Sequence, residues 1–323
     1  MRALILGLGL LLSGLVSSTE LKIATLYPDG TAEVVALRQA ARDIAAATDN
    51  RVRLLVYPGG AMGDDNAVRR RIRTGQLHGA LIQTGALAND YRDVQILNAP
   101  FTFQAYEQVD AVRAELEADI LAGLAANGIK SFGFIDGGFA YVMSQNPVSS
   151  LAQLQQQRLW LPAGDPFSEQ IAREFRVSPI LLGIGEVLTS LQTGAINAVV
   201  APPSAALTLQ WHNRLSYVTD MPLIYTLGTL YVDARHFARL SDADQAEVQR
   251  ILSTMSAELN NRNRANNIAA YQALQQQGIT KVDPSAAQRQ EITDNADLVL
   301  NQLVASGAFN QNYLERLMRV LDR

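Results

Sequence analysis

The sequence predicts an α/β fold with mixed sheets, on three observations. Pro179–Ser204 (PILLGIGEVLTSLQTGAINAVVAPPS) reads as strand, short helix, strand. Strand and helix signals alternate from Leu21 to Gln83, as a parallel sheet with crossover helices requires. A polar but periodic stretch from Asp242 to about Gln276 predicts one very long helix.

In the first of these, Val187, Leu188 and Leu191 share one helical face, and Gly194 stops the helix where a left-handed residue costs least. Ala195–Ala201 alternates as a strand, and Pro202-Pro203 ends it because proline has no N–H for the ladder. Ligands of such sheets sit beyond the strand ends.

The chain has 323 residues, enough for two domains with their own cores. Hydrophobic content of 48% and charged content of 18% describe an ordinary folded protein. Met1–Ser18 stands apart: Arg2, an apolar run over Ala3–Val16 and small residues after it make a secretory signal peptide. No cysteine follows, so lipid anchoring is not expected. Disulfides, thiol chemistry and cysteine metal sites are excluded by the same count. A net charge of −4 gives no basic face for nucleic acid.

Taken in order, Leu21–Leu26 is a strand, Ala32–Thr48 a helix capped by Thr31, and Arg51–Val56 a strand. A glycine loop, Gly59–Gly63, leads into a helix over Asp64–Thr74, and His78–Gln83 is the third strand. That loop lacks the Lys-Ser/Thr of a phosphate loop, and Asp64 and Asp65 place negative charge where an anion would sit. Arg69, Arg70, Arg71 and Arg73 fan out at about 100° per residue, so they form no single patch. Tyr106–Asn127 is helical, and Lys130–Ile135 and Ala140–Gln145 are strands separated by Asp136-Gly137-Gly138. Short elements over Leu151–Gln157, Arg158–Leu161 and Phe167–Phe175 precede the Pro179–Ser204 unit. Leu207–Asn213 is helical, and strands over Leu215–Thr219 and Leu223–Val232 follow. Ser241 caps the long helix, which at 1.5 Å per residue is on the order of 50 Å long. Two amphipathic helices close the chain.

Gly185–Gly194 and the strand after it resemble the "GEVYTALQTGVVDG" signature of the solute-binding proteins of TRAP (tripartite ATP-independent periplasmic) transporters. Tyr57–Gly63 is similar to their "YP.G.(L/M)G" loop, and Asn98–Phe103 to their "LPFLF" segment. The resemblance covers nearly all of the chain after the signal peptide. It implies a two-lobed periplasmic binding protein with mixed sheets, hinge strands and a long lobe-spanning helix. One lobe would hold residues 19–139 and 227–263, the other 140–226 and 264–323. The implied function is ligand capture by lobe closure and delivery to membrane permease subunits, with no cofactor, no catalysis and a monomeric periplasmic protein. A ligand sensor for a signalling receptor is the alternative on the same fold.

Enzyme chemistry finds no residues in the sequence. His78, His212 and His236 have no partners at metal or catalytic spacing, and no G-x-S-x-G exists. The binding reading has candidates, and they depart from the family. The family's carboxylate-holding arginine in "GLKIRVP" matches Trp160, the arginine after "NGF" matches Ala140, and the asparagine of "QENP" matches Ala201. Arginine suits carboxylates because its planar fork makes two parallel hydrogen bonds, and a carboxylate buried without such partners costs several kcal/mol. These replacements predict a largely apolar pocket with Trp160 as a flat wall, taking a small organic, amphipathic or lipid-like ligand. Arg158, two residues from Trp160 on the same strand face, would be the anchor if the ligand were an organic acid. Ile184 is a further apolar candidate, and Thr25, Tyr27, Gln83 and Thr84 are the polar groups at the first lobe's strand ends.

Overall fold

The computed structural model describes residues 18–322; the expected signal peptide, apart from Ser18, lies outside the described residues. The chain runs β1 (Thr19–Thr25), α1 (Ala32–Ala47), β2 (Val52–Tyr57), α2 (Asp65–Arg73) and β3 (Gly79–Gln83). Next come α3 (Tyr106–Ala126), β4 (Ile129–Ser144), α4 (Leu151–Gln155), β5 (Leu159–Pro162), α5 (Pro166–Glu174) and β6 (Ile180–Leu182). α6 (Val187–Thr193), β7 (Ala198–Ala201), α7 (Pro203–Thr208), β8 (Tyr217–Thr219) and β9 (Ile224–Asp233) follow. The chain ends with α8 (Ala234–Phe237), α9 (Asp242–Gln276), β10 (Thr280–Val282), α10 (Ala286–Ala305) and α11 (Gln311–Val320).

The main strand order is β2-β1-β3-β9-β4-β7-β5-β6, with β8 on β4 and β10 on β8. β1, β2 and β3 are mutually parallel, as are β5, β6 and β7, because helices cross between them. β9 and β4 run antiparallel to each other from Ile129↔Asp233 to Ala140↔Ile224 and belong to both halves. These two strands are the hinge between a first lobe built on β1–β3 and a second built on β5–β7.

β4 is one strand where the sequence suggested two with a loop at Asp136-Gly137-Gly138. Its pairing with β9 shifts register between Asp136 and Gly138, which unpairs backbone groups that must find other partners. The asparagines of α9 supply them. Asn260 accepts from the Asp136 N–H and donates to the Phe134 carbonyl, Asn263 donates to the Asp136 carbonyl, and Asn267 donates to that of Gly137. Gly138 is left-handed (φ +98°), and a Cβ there would lie 2.5 Å from the Asn267 amide nitrogen, so the bulge needs glycine twice over.

α9 begins as expected, with the Ser241 hydroxyl accepting from the Asp244 N–H. Its early turns bury Val248, Ile251, Leu252 and Leu259 in a core shared with α1 and with Leu21, Ile23 and Leu230 of the first sheet. Its last turns bury Leu274 in the second lobe, beside Trp211, Val187 and Leu191. A third core runs beneath α3 and α5 across both lobes.

The expected grouping of residues 264–323 with the second lobe does not hold for α11. Leu314 and Leu317 bury against the α3 side of the molecule. Arg316 bridges Glu115 (2.8 Å) and Asp119 (2.7 Å) of α3. Its amphipathic face therefore closes the first lobe.

Candidate functional site

The carboxyl ends of β1 and β3 face those of β5, β6 and β7 across the hinge, which places a cleft between the lobes. The lobes touch there. A Cβ on Gly85, after β3, would lie 2.7 Å from the Asp165 carboxylate at the start of α5. A Cβ on Gly164 would lie 2.5 Å from the Asn66 amide nitrogen of α2. The structure is thus that of a closed or nearly closed pair of lobes.

From the first lobe, the β1 end brings Tyr27 to Gln83 of β3, whose amide donates to the phenol oxygen at 3.0 Å. Thr25 lies buried below them, its hydroxyl accepting from the Tyr27 N–H at 3.3 Å. Thr84 turns away: its hydroxyl donates to Asn98 (2.7 Å) and the Leu227 carbonyl (3.0 Å), which ties β3 to the hinge. Tyr27, Gln83 and Thr25 are therefore brought together, and Thr84 is a structural residue.

The second lobe departs further from expectation. Trp160 is 5% exposed; its indole N–H donates to the Leu182 carbonyl at 3.0 Å, and its ring meets Trp211 edge-on at 5.1 Å. Rather than forming a flat pocket wall, it fills the core under α6. Ala201 sits in that core on the same face, opposite Tyr141. Ala140 is buried on the hinge strand and, next to Tyr141, projects to the other face. The three positions do not converge on one pocket.

Arg158 does share the Trp160 face, but at the wrong end of the strand. Its Nε donates to the Gly194 carbonyl at the end of α6, and its N–H donates to Asn197. Four residues of β5 at ~3.3 Å each separate it from the Pro162 end that borders the cleft. Ile184 is 38% exposed on the turn between β6 and α6, at the cleft rim.

Two acids that the sequence reading left out of the site lie along the seam. Asp65 opens α2 in the first lobe, and Asp165 caps α5 in the second, accepting from the Ser168 N–H (3.1 Å) and hydroxyl (2.6 Å). Burial, then the charges of Asp64 and Asp165, push the Asp65 carboxyl up to about 7. Burial also raises Asp165, against the pull of Ser168. Tyr27 is raised by burial and by Glu33 of α1. The cation that acts on Asp65 is Arg69, and its guanidinium is held by Asp90 at 2.5 and 3.0 Å. The sequence carried a signal for both: Asp64-Asp65 after a glycine loop, and Asp165-Pro166 as a cap opening a helix.

A cavity between Phe101 of the first lobe and the second lobe is too small for a solute. At about 30 Å³ among Phe101, Val142, Leu151, Phe175 and Met221, it is the size of one water. Among the described residues, no helix is long and apolar enough to cross a membrane.

Two lobes on crossing strands, a long bracing helix and a cleft at the strand ends define a two-domain solute receptor. The chain belongs to the family described as bacterial extracellular solute-binding protein, family 7, whose profile matches residues 23–306. It is 21% identical over 238 residues to the C4-dicarboxylate-binding periplasmic protein DctP of Rhodobacter capsulatus, covering 72% of this chain and 71% of that one. It is 20% identical over 239 residues to the sialic acid-binding periplasmic protein SiaP of Vibrio cholerae, covering 72% and 73%. Its fold is similar to DctP7, a Bordetella pertussis extracytoplasmic solute receptor binding pyroglutamic acid. The TM-score is 0.84 at 17% identity, over 95% of this chain and 100% of that one. A TRAP periplasmic solute-binding protein from Pseudomonas putida F1 with bound D-glucuronate gives a TM-score of 0.82 at 19% identity, over 94% and 97%. The chain is a solute-binding protein of the TRAP type, a transport class rather than an enzyme class.

Proposed function

We propose that this protein is the periplasmic receptor of a TRAP transporter whose lobes close on a small amphipathic solute that is not an organic acid, and that the closed form delivers it to the membrane permease. One observation carries the choice of solute. Where the family places its carboxylate-holding arginines and amide, this chain has Trp160, Ala140 and Ala201, all buried, while Arg69 is already bound to Asp90. An acid entering the seam would meet Asp65 and Asp165 instead of a guanidinium, with the desolvation of its charge uncompensated. The exposed side chain of Ile184 offers apolar surface at the cleft. Closure follows if the solute binds the closed form better than the open one.

The test is native mass spectrometry of the protein purified from periplasm, followed by thermal melting with candidate solutes. The expected result is a copurified molecule without a carboxylate, and no shift in Tm with succinate or D-glucuronate. A stoichiometric organic acid in the spectrum would overturn the choice of solute.

A further inference from the structure

The first lobe reaches into the second at Phe101. The segment Asn98–Phe103 leaves the first lobe at Asn98, whose side chain accepts from Thr84 and donates to the Tyr225 carbonyl. It returns at Phe103, whose ring meets that of Tyr225 edge-on. Between these two ties Phe101 sits against the second lobe. Its N–H donates to the Leu223 carbonyl at 2.6 Å, and its ring meets that of Phe175 edge-on at 5.6 Å. Val142, Leu151, Leu154 and Met221 complete an apolar seat, with a void of about 30 Å³ left beside the ring.

The backbone of Phe101 is left-handed (φ +53°), which a bulky side chain disfavours and only its surroundings can impose. The other described non-glycine residues with positive φ are Asp49, Asn50, Arg176, Gln210 and Asp322, all polar. Phe101 is the apolar exception, and the groups that hold it in this conformation, the seat and the Leu223 carbonyl, belong to the second lobe.

We propose that Phe101 is an interlobe latch. Seated, it holds the lobes together; when they swing about β4 and β9, the ring leaves the seat and the turn relaxes to negative φ. Apolar contact favours the seated form and the backbone strain favours release, so the latch yields in each cycle of opening. Release leaves no buried polar group unpaired, because water reaches the Phe101 N–H and the Leu223 carbonyl once the lobes part. The latch acts on the empty receptor and so lowers the preference for the closed state that any solute must supply. It rests on the two-lobed fold and not on the choice of solute.

The chain has no cysteine, so two can be introduced to carry spin labels. Ala61→Cys in the first lobe's glycine loop and Thr189→Cys on α6 are both at exposed positions and report the distance between lobes. The labelled protein is unfolded in guanidinium, dialysed and refolded to strip bound solute. Distances are read by double electron–electron resonance, and stability by urea unfolding. The wild type should show a short-distance population, and its ratio to the long one should fall roughly fivefold or more in Phe101→Ala. Phe101→Leu, which keeps an apolar group in the seat, should fall between. Phe101→Gly suits the left-handed turn but empties the seat, and should be as open as Phe101→Ala. Where a truncated variant does not fold, Phe101→Leu carries the test. A folded variant with a lowered urea midpoint and an unchanged distance ratio makes Phe101 an ordinary packing residue and overturns the proposal. So does a stripped wild type with no short-distance population, or a Phe101→Gly protein as closed as the wild type.

Discussion

The hinge and the cleft each bury carboxylates, and they treat them in opposite ways. At the hinge, Asp136 is wholly buried on β4, with Arg113 at 2.6 Å on one oxygen and Arg264 at 2.5 Å on the other. Arg113 also holds Glu117, and Arg264 holds Asp110, whose carboxyl it keeps below the usual range, and stacks over the ring of Tyr106. Every charge in that network has a partner inside the protein. In the cleft, by contrast, burial and then the charges of Asp64 and Asp165 raise the Asp65 carboxyl, and the cation near it is engaged elsewhere. A site that is complete belongs to the architecture. One that is incomplete points to something brought from outside.

The largest effect tests the complete site. Asp136→Ala empties a fully buried position and leaves two half-buried guanidinium groups short of a partner; it is expected to cost about 3–5 kcal/mol, read by urea unfolding. If stability barely changed, the hinge would be as open to ligand as the cleft, and the contrast would fail. Trp160→Ala probes the second lobe's side of the comparison. As a core residue it should cost about 3–5 kcal/mol of stability. A variant that kept its stability and lost only ligand affinity would return Trp160 to the cleft wall.

Gly85→Ala sharpens the contrast from the other direction. Its backbone is not left-handed, so the substitution disturbs the seam rather than the fold, by driving a methyl against Asp165. Overpacking of this kind costs about 1–3 kcal/mol. It should appear as a roughly tenfold or greater loss of solute affinity and a larger interlobe distance in solution scattering, with unfolding little changed. Arg158→Ala should do least. That guanidinium is exposed and holds one helix-end carbonyl, so a loss within about 1 kcal/mol and no change in binding are expected from melting and titration. Loss of ligand in Arg158→Ala would revive an acid-binding site.

Much of the architecture was legible because periodicity and caps are local. The Ser241 cap, the length of α9 and the β–α–β opening could all be read from neighbouring residues. What failed depended on distant parts of the chain. Asp136-Gly137-Gly138 looks like a loop until asparagines from α9, more than 120 residues later, take up its backbone groups. Alternation correctly put Arg158 and Trp160 on one face, but it could not say which end of β5 met the cleft. Comparison with the family pattern located the missing arginines at Trp160 and Ala140 without revealing what replaced their chemistry. The acids at Asp65 and Asp165 are 100 residues apart in sequence, and only the approach of the lobes puts them along one seam.

The connection between α10 and α11 is tied to both lobes at once. Ser306 receives a hydrogen bond from Gln170 of α5, while the next carbonyl, that of Gly307, is held by Arg92, and the Asn310 N–H by Asp93, both beside α3. Consecutive residues are thus moored to opposite halves of the molecule. A swing apart of the halves must rotate the chain at that junction or release one of its moorings. The C-terminal segment is thus a second tie between the halves, set far in sequence from the crossing strands. Shortening the chain before Ser306 would unlatch it.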